Sequence, residues 1–429
     1  MAKITHSILL RNGRVIDPAN GIDEVTDVLI VDDHIAAVQP SIEFRAHETI
    51  DVSGKIVVPG LIDMHVHFRE PGQEYKEDFE SGSKAAAAGG FTTVATMPNT
   101  KPVIDNAYLV EAMVDRATEV GLINIKIIGA LTKGQQGEQL AEMAEMNAAG
   151  AIAFSDDGHF VDNAKIFLNA LDYLKPLDKL VICHEEETTL VKGGSMNESL
   201  SSTRLGLKGR PSIAEDIAIA RDCLLADYAG ARVHFAHVSS ARSVDIIRET
   251  KARGVKVSAE CTPQHLTLTD DMVDPSDATT KINPPLRTQA DCDALLAGLL
   301  DGTIDCLVTD HSPHAMYEKE FPYDQAPSGF PGLETSLAVL LTDLVSTGKI
   351  SINKLIEKMT IAPAKLFGLE AGTLSVGAPA DIAVFDPDLE WAVEPEKFMS
   401  KAHFSPFAGK KLKGRVTHTI CNGKLIFKL

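Results

Sequence analysis

The sequence predicts an α/β chain, a (β/α)8 TIM barrel with a small β-sheet domain formed by the N- and C-terminal segments. Three observations carry that prediction. Eight apolar, β-type runs recur through the middle of the chain, each followed by a polar cluster and then a helix-like stretch. Such alternation implies parallel strands joined by right-handed crossovers. Both ends of the chain instead carry short strands and turns, so the termini are expected to meet in one sheet. Finally, the polar clusters fall at strand ends, where barrels of this class place their catalytic groups. The expected division is 1–56 with 366–429 for the composite β domain and 57–365 for the barrel. An open doubly wound sheet is the alternative, but no G-x-G-x-x-G or G-x-x-x-x-G-K-[ST] loop supports it.

In chain order, the first strands are read in "HSILLRNGRVIDP", "TDVLIVDDHIAAVQP" and "ETIDVSGKIVVPG". The barrel strands follow in "KIVVPGLIDMHVH", "FTTVATMPNT", "INIKIIGALT", "AIAFSDDG", "KLVICHEEE", "ARVHFAHVSS", "KVSAECTPQHL" and "TIDCLVTDHSPH". Helices are expected in "EDFESGSKAAAAGG", "NAYLVEAMVDRATEVG", "SIAEDIAIARDCLLADYAG" and "SARSVDIIRETKARG", each ending at glycine as helices tend to. The closing strands lie in "GAPADIAVFDPDLEW" and "RVTHTICNGKLIFKL".

The bulk numbers narrow the function classes. A chain of 429 residues exceeds what one compact core usually holds, and a barrel with an accessory domain fits. The net charge of −19 argues against a nucleic-acid surface and against anionic membranes. Six scattered cysteines without a C-x-x-C pair suit free thiols in a reducing compartment. The N-terminus lacks a signal layout, and no apolar run approaches the roughly 20 residues that span a bilayer. A cytoplasmic protein is expected.

The chemistry concentrates in "VVPGLIDMHVHFREPG", residues 57–72, where Asp63, His65, His67 and Arg69 occupy every second position. Alternate residues of a strand share a face, so all four are expected to project together. The same rule puts His184 with Ile182 and Glu186, His237 with Val233 and Phe235, and Asp310 with Cys306 and Val308. In "AFSDDG" either Asp156 or Asp157 would face inward. An H-x-H pair alone is a weak signal. Four histidines and two carboxylates on five strand ends, with no thiolate, fit Zn²⁺ ahead of Mn²⁺, Co²⁺ or Fe²⁺. A carboxylate can also bridge two ions about 3.5–4 Å apart. The residues point to metal-assisted hydrolysis.

"GLIDMHVHFREPG" resembles the signature of the amidohydrolase superfamily, and its "FREPG" ending resembles the class I bacterial type of dihydroorotase. The resemblance continues through "TMPNT" (96–100), "FSDDG" (154–158), "CHEEE" (183–187), "KINPPLR" (281–287), "TDHSPH" (309–314), "APSGFPGLET" (326–335) and "MTIAPAKLFGL" (359–369). It implies that His65, His67 and Asp310 hold one zinc, that His184 and His237 hold a second, and that Asp157 bridges them. One or two Zn²⁺ per subunit would follow. Many amidohydrolases bridge with a carbamoylated lysine, so the aspartate in "FSDDG" separates this chain from hydantoinases.

The same resemblance implies that Arg69, Asn99 and His314 grip a substrate carboxylate, with Asn283 a further contact. Backbone groups near Ser328 and Gly329 would touch a pyrimidine ring, and His67 and Phe68 complete the implied substrate-binding set. Segment 314–332 would be an active-site loop. His265, Gln264 and Glu185–Glu187 are read as supporting or solvent-facing residues. The implied reaction is the reversible cyclisation of N-carbamoyl-L-aspartate to L-dihydroorotate in de novo pyrimidine biosynthesis. Hydroxide generated on zinc would be the nucleophile, and Asp310 the catalytic base and then acid. The implied partners are this small-molecule substrate, a second copy in a homo-oligomer such as a homodimer, and an aspartate transcarbamoylase. Two rivals remain, another cyclic amidase and a barrel that has lost catalysis. Arg69, Asn99 and the bridging aspartate speak against the first, and the complete ligand set against the second.

Overall fold

The protein is described here by a computed structural model covering residues 5–429. Eight parallel strands form a ring in sequence order: Leu61–Val66, Phe91–Thr96, Asn124–Gly129, Ala151–Ser155, Leu180–Cys183, Val233–Phe235, Val257–Cys261 and Cys306–Leu307. The last strand returns to the first. Val66 bridges His311 in parallel, His67 N–H donates to the His311 carbonyl at 2.8 Å, and Thr309 N–H donates to Asp63 Oδ2 at 3.1 Å. Each of the eight expected runs supplies one barrel strand, and the closed ring excludes the open sheet.

The first run splits at Gly60. Ile56–Pro59 pairs antiparallel with Ile382–Ala392, whereas Leu61–Val66 starts the barrel. A Cβ at Gly60 would stand 2.0 Å from Thr92 Oγ1, so only glycine lets the chain pass from sheet to barrel there. The terminal sheet runs Lys424–Lys428, Lys411–Cys421, Ile382–Ala392, Ile56–Pro59, Ser7–Asp17, Ile22–Val31 and His34–Gln39, with Glu48–Asp51 also paired to Ser7–Asp17. The N- and C-terminal segments therefore meet in one sheet. Its own core includes Ile8, Val28, Ile30, Val57, Ile382, Val384 and Ile420.

Helices jacket the ring, and their ends follow local rules. Phe79–Ala88 starts at Asp78, whose carboxylate accepts from Ser81 N–H at 2.8 Å in a capping box. Ala107–Val120 and Ile213–Ala229 stop at Gly121 and Gly230, both left-handed. Strand residues such as Phe91, Val94, Phe154, Val181, Val233 and Phe235 pack outward with helix residues. Ile128, Leu180, Ile182, Cys306 and Val308 form a second cluster, inside the ring. Each fully buried phenylalanine contributes roughly 1.5–3 kcal/mol to holding the helices on the barrel. All six cysteines are free and buried, and among the described residues no helix is long and apolar enough to cross a membrane.

Candidate metal centre

The mouth of the ring gathers the six residues expected to bind metal. Asp157 is its hub. Its Oδ1 lies 3.5 Å from His65 Nε2, 3.5 Å from His237 Nε2 and 3.7 Å from His184 Nδ1, and its Oδ2 lies 3.5 Å from His67 Nε2. Asp310 Oδ1 stands 3.2 Å from His67 Nε2 and 3.6 Å from His65 Nε2. Ligand atoms of His65, His67 and Asp310 lie within 4.8 Å of one another, and so do those of His65, Asp157 and His237. His184 Nδ1 faces His237 Nε2 at 3.0 Å.

The donor chemistry fits a cation. Glu260 Oε1 lies 2.7 Å from His65 Nδ1, and a carboxylate only accepts. The proton therefore sits on Nδ1, and the lone pair of Nε2 faces the mouth. His65 Nε2 and Asp157 Oδ1 are buried with no hydrogen-bond partner among the described residues. Leaving such an atom unmet costs about 1–3 kcal/mol. A divalent ion would satisfy both. Burial works to raise the Asp157 and Asp310 carboxyls, but the surrounding imidazoles outweigh it and hold both below the usual carboxylate range. Both carboxylates are therefore ionised at neutral pH.

Two of these side chains, and Arg69 beside them, reach the mouth through strained backbone. Arg69, His237 and Asp310 have φ of 58°, 32° and 49°, at a cost of about 1–3 kcal/mol each. His237 corrects the alternation argument. Val233 and Phe235 point outward to the helices, and His237 turns inward only because the strand ends at Phe235. His234, on the inner face, instead bonds Glu260 Oε2 at 3.0 Å. Asp63 is a second correction. It does not join the cluster, because its carboxylate accepts from the His65 and Thr309 amides across the barrel seam. Between the two aspartates of "FSDDG", Asp157 faces the mouth, and Asp156 accepts from the Leu131 and Thr132 amides at 2.9 and 3.1 Å.

A cavity of about 240 Å³ opens above the cluster, lined by His67, Arg69, Asn99, Asp157, Gly158, His184, His237, Asn283, Asp310, Ser312, His314, Ser328 and Gly329. Arg69 donates to the Pro313 carbonyl at 3.2 Å, and its Nη2 lies 3.4 Å from His314 Nε2. Burial lowers its pKa to about 10, so it stays cationic at neutral pH. Asn99 Oδ1 lies 2.9 Å from His67 Nδ1, and Asn283 Nδ2 lies 3.1 Å from His184 Nε2. Loop 314–332 contributes His314, Ser328 and Gly329.

Phe68 is a further correction. Its fully buried ring packs against Phe79 and His311, each 6.1 Å away, because it alternates with His67 and faces the helices. Gln264 donates to the Thr309 carbonyl at 3.0 Å, and His265 bonds Thr262 and the Pro284 carbonyl, so neither lines the cavity. Sequence reasoning missed Glu260, Lys76 and Ser312. Glu260 touches His65, His234 and the His237 amide, and its only sequence signal was a charge inside an apolar strand. Lys76 Nζ lies 3.2 Å from His314 Nδ1, and Ser312 Oγ–H donates to Asp310 Oδ1 at 2.7 Å.

Residues 54–243 match a family model described as dihydro-orotase-like, and residues 212–426 match that of the amidohydrolase family. A relative named dihydroorotase from Citrifermentans bemidjiense is 49% identical over 423 residues, covering 98% of this chain and 100% of that protein. Another, from Pelotomaculum thermopropionicum, is 49% identical over 421 residues, covering 98% of each chain. Among solved structures, L-hydantoinase (dihydropyrimidinase) from Arthrobacter aurescens superposes with a TM-score of 0.88 at 28% identity, over 99% of this chain and 96% of that one. Dihydropyrimidinase from Brevibacillus agri gives 0.84 at 25% identity, over 98% and 95%. The shared fold, the close full-length relatives and the matching models agree: this chain belongs to the dihydroorotase family of amidohydrolases.

Proposed function

We propose that the mouth holds divalent zinc and that the chain there interconverts N-carbamoyl-L-aspartate and L-dihydroorotate, a cyclic-amide reaction of pyrimidine biosynthesis. The observation that carries this reading is one cavity that a buried Arg69 shares with Asp157, whose Oδ1 has no partner among the described residues and lies 3.5 Å from the equally unpartnered His65 Nε2. His65, His67 and Asp310 would hold one ion and His184 and His237 a second, with Asp157 between them. When bound, the metal supplies Lewis acidity that lowers the pKa of water from about 15.7 towards 7 and polarises a carbonyl.

The chain's own groups do the rest. The Arg69 guanidinium and the Asn99 amide orient the substrate carboxylate by charge-assisted hydrogen bonds, and His314, held between the Ser328 carbonyl and Lys76, packs beside them. Asp310 accepts the proton of the attacking water and returns it to the leaving ring nitrogen, acting as base and then acid. Ser312 holds Asp310 in the orientation this requires. Closure removes one carboxylate and consumes a proton, so acidic pH favours the ring.

A second reading, hydrolysis of a hydantoin-type ring, is suggested by the structural neighbours named hydantoinase. Such a ring carries no carboxylate for Arg69 to hold. A panel of both substrates on purified protein, with metal content measured on the same sample, decides between them. The expected result is turnover of dihydroorotate with one to two zinc per chain. Turnover of the hydantoin alone would overturn the proposal. A cytoplasmic location, a homo-oligomer and association with an aspartate transcarbamoylase belong to this reading too, the last two tested by mass measurement with and without that partner.

A further inference from the structure

Lys319 is a basic side chain out of place. It ends the short helix Met316–Lys319 in the cavity loop, is buried, and forms no salt bridge with a carboxylate among the described residues. Its Nζ is spent on backbone. Nζ donates to the Pro327 carbonyl at 2.9 Å and the Gly329 carbonyl at 3.0 Å, and reaches the Lys281 carbonyl at 3.5 Å. The ring of Phe404 lies 5.3 Å away. Burial pushes the Lys319 pKa down to about 7, and a buried amine bonded only to neutral carbonyls is costly to keep unless those bonds hold the backbone in place.

What it fixes is the wall of the cavity. The carbonyls on either side of Ser328 go to Lys319, while the Ser328 carbonyl takes the proton of His314 Nε2 at 2.9 Å. Gly329 N–H is also committed, donating to the Lys281 carbonyl at 2.8 Å. Gly329 sits at φ +124°, and a Cβ there would meet the Ser312 carbonyl at 2.6 Å, so the backbone is held tight against the 310–314 segment. With these neighbours committed, the Ser328 amide has no protein partner among the described residues. On the other side, Glu318 pairs with Lys76 at 3.0 Å, so consecutive residues tie this helix to two different walls.

We infer that Lys319 is a positioning residue that latches segment 327–329 to the Lys281–Asn283 segment and so presents the Ser328 amide to a carbonyl of the substrate ring. This inference rests on the proposed function for the identity of the ring. The latch itself is a property of the ligand-free chain. Its loss would weaken substrate binding while sparing the proton transfer at Asp310 and the metal ligands, none of which Lys319 touches.

The test compares the metal-loaded protein with Lys319→Met and Lys319→Arg. Steady-state kinetics on dihydroorotate and hydrogen exchange of the substrate-free protein are measured side by side. The expected result for Lys319→Met is a KM raised about tenfold, the size of one well-placed hydrogen bond, with kcat changed by less than about threefold. Exchange would quicken together at 327–329 and 281–283, and Lys319→Arg would recover part of both effects. Unchanged exchange in Lys319→Met, or a fall in kcat with KM unchanged, would overturn the latch. Should Lys319→Met fail to fold, Lys319→Gln takes its place with the same readouts. Absence of dihydroorotate turnover in the unaltered protein would sink the proposed function, and the exchange comparison would still decide the latch.

Discussion

Asp310 and His311 are consecutive, both buried, and lie at the same end of the barrel, yet they belong to unlike polar regions. His311 faces the helices. Its Nε2 lies 3.3 Å from Glu77 Oε2, its Nδ1 accepts from Gly332 N–H at 3.2 Å, and Glu77 also takes the Ser400 hydroxyl. Both ring nitrogens are met. Asp310 faces the mouth, beside His65 Nε2 and Asp157 Oδ1, which have no partner among the described residues. The two regions share residue types and depth. They differ in whether their hydrogen-bonding capacity is already used, and buried polar groups left unmet are the exception that calls for a ligand. The outer region holds the loop after the first strand to the C-terminal segment, and the inner one is built to be completed from outside.

The largest expected effect is on the inner region as a whole. Chelation should abolish dihydroorotate hydrolysis while leaving the circular dichroism spectrum of the fold in place, and added zinc should restore activity. Unfolding on chelation would mean that the mouth is a structural metal site. Next comes Asp310→Asn, which should lower kcat by about 10²–10⁴-fold, the usual weight of a positioned acid–base group. Much of the metal should remain, and near-normal turnover would remove Asp310 from its role. Arg69→Met should lower kcat/KM by about 10- to 150-fold, the equivalent of a charged hydrogen bond worth roughly 1.5–3 kcal/mol. The smallest change to chemistry belongs to the outer region. Ser400→Ala leaves Glu77 short of a donor and should destabilise the fold by about 1–3 kcal/mol in a urea titration. Metal content and kcat should stay as they were, and a loss of metal there would erase the distinction between the regions.

Much of this arrangement was legible in the sequence, for reasons that differ by residue. The barrel was readable because each apolar run is short, bounded and followed by a helix with a glycine stop, as at Gly121 and Gly230. His184 followed the period of two, lying on the inner face with Ile182. His237 shares the strand period of Val233 and Phe235, yet a φ of 32° rather than alternation turns it inward. Asp63 kept its place in the pattern but was captured by two backbone amides, a choice that depends on Thr309, far along the chain. Glu260 showed only as a charge inside an apolar strand, because the partner that explains it, His65, is 195 residues away. Period and motif report one strand at a time, whereas contacts across the mouth exist only once the ring closes.

Anomalous scattering at the zinc edge, from crystals of the protein grown with zinc and shown to turn over dihydroorotate, tests the central claim most directly. The account predicts peaks at the barrel mouth, one bounded by His65, His67 and Asp310 and a second by His184 and His237, with Asp157 touching both. Active crystals with no anomalous peak within reach of Asp157 would contradict it.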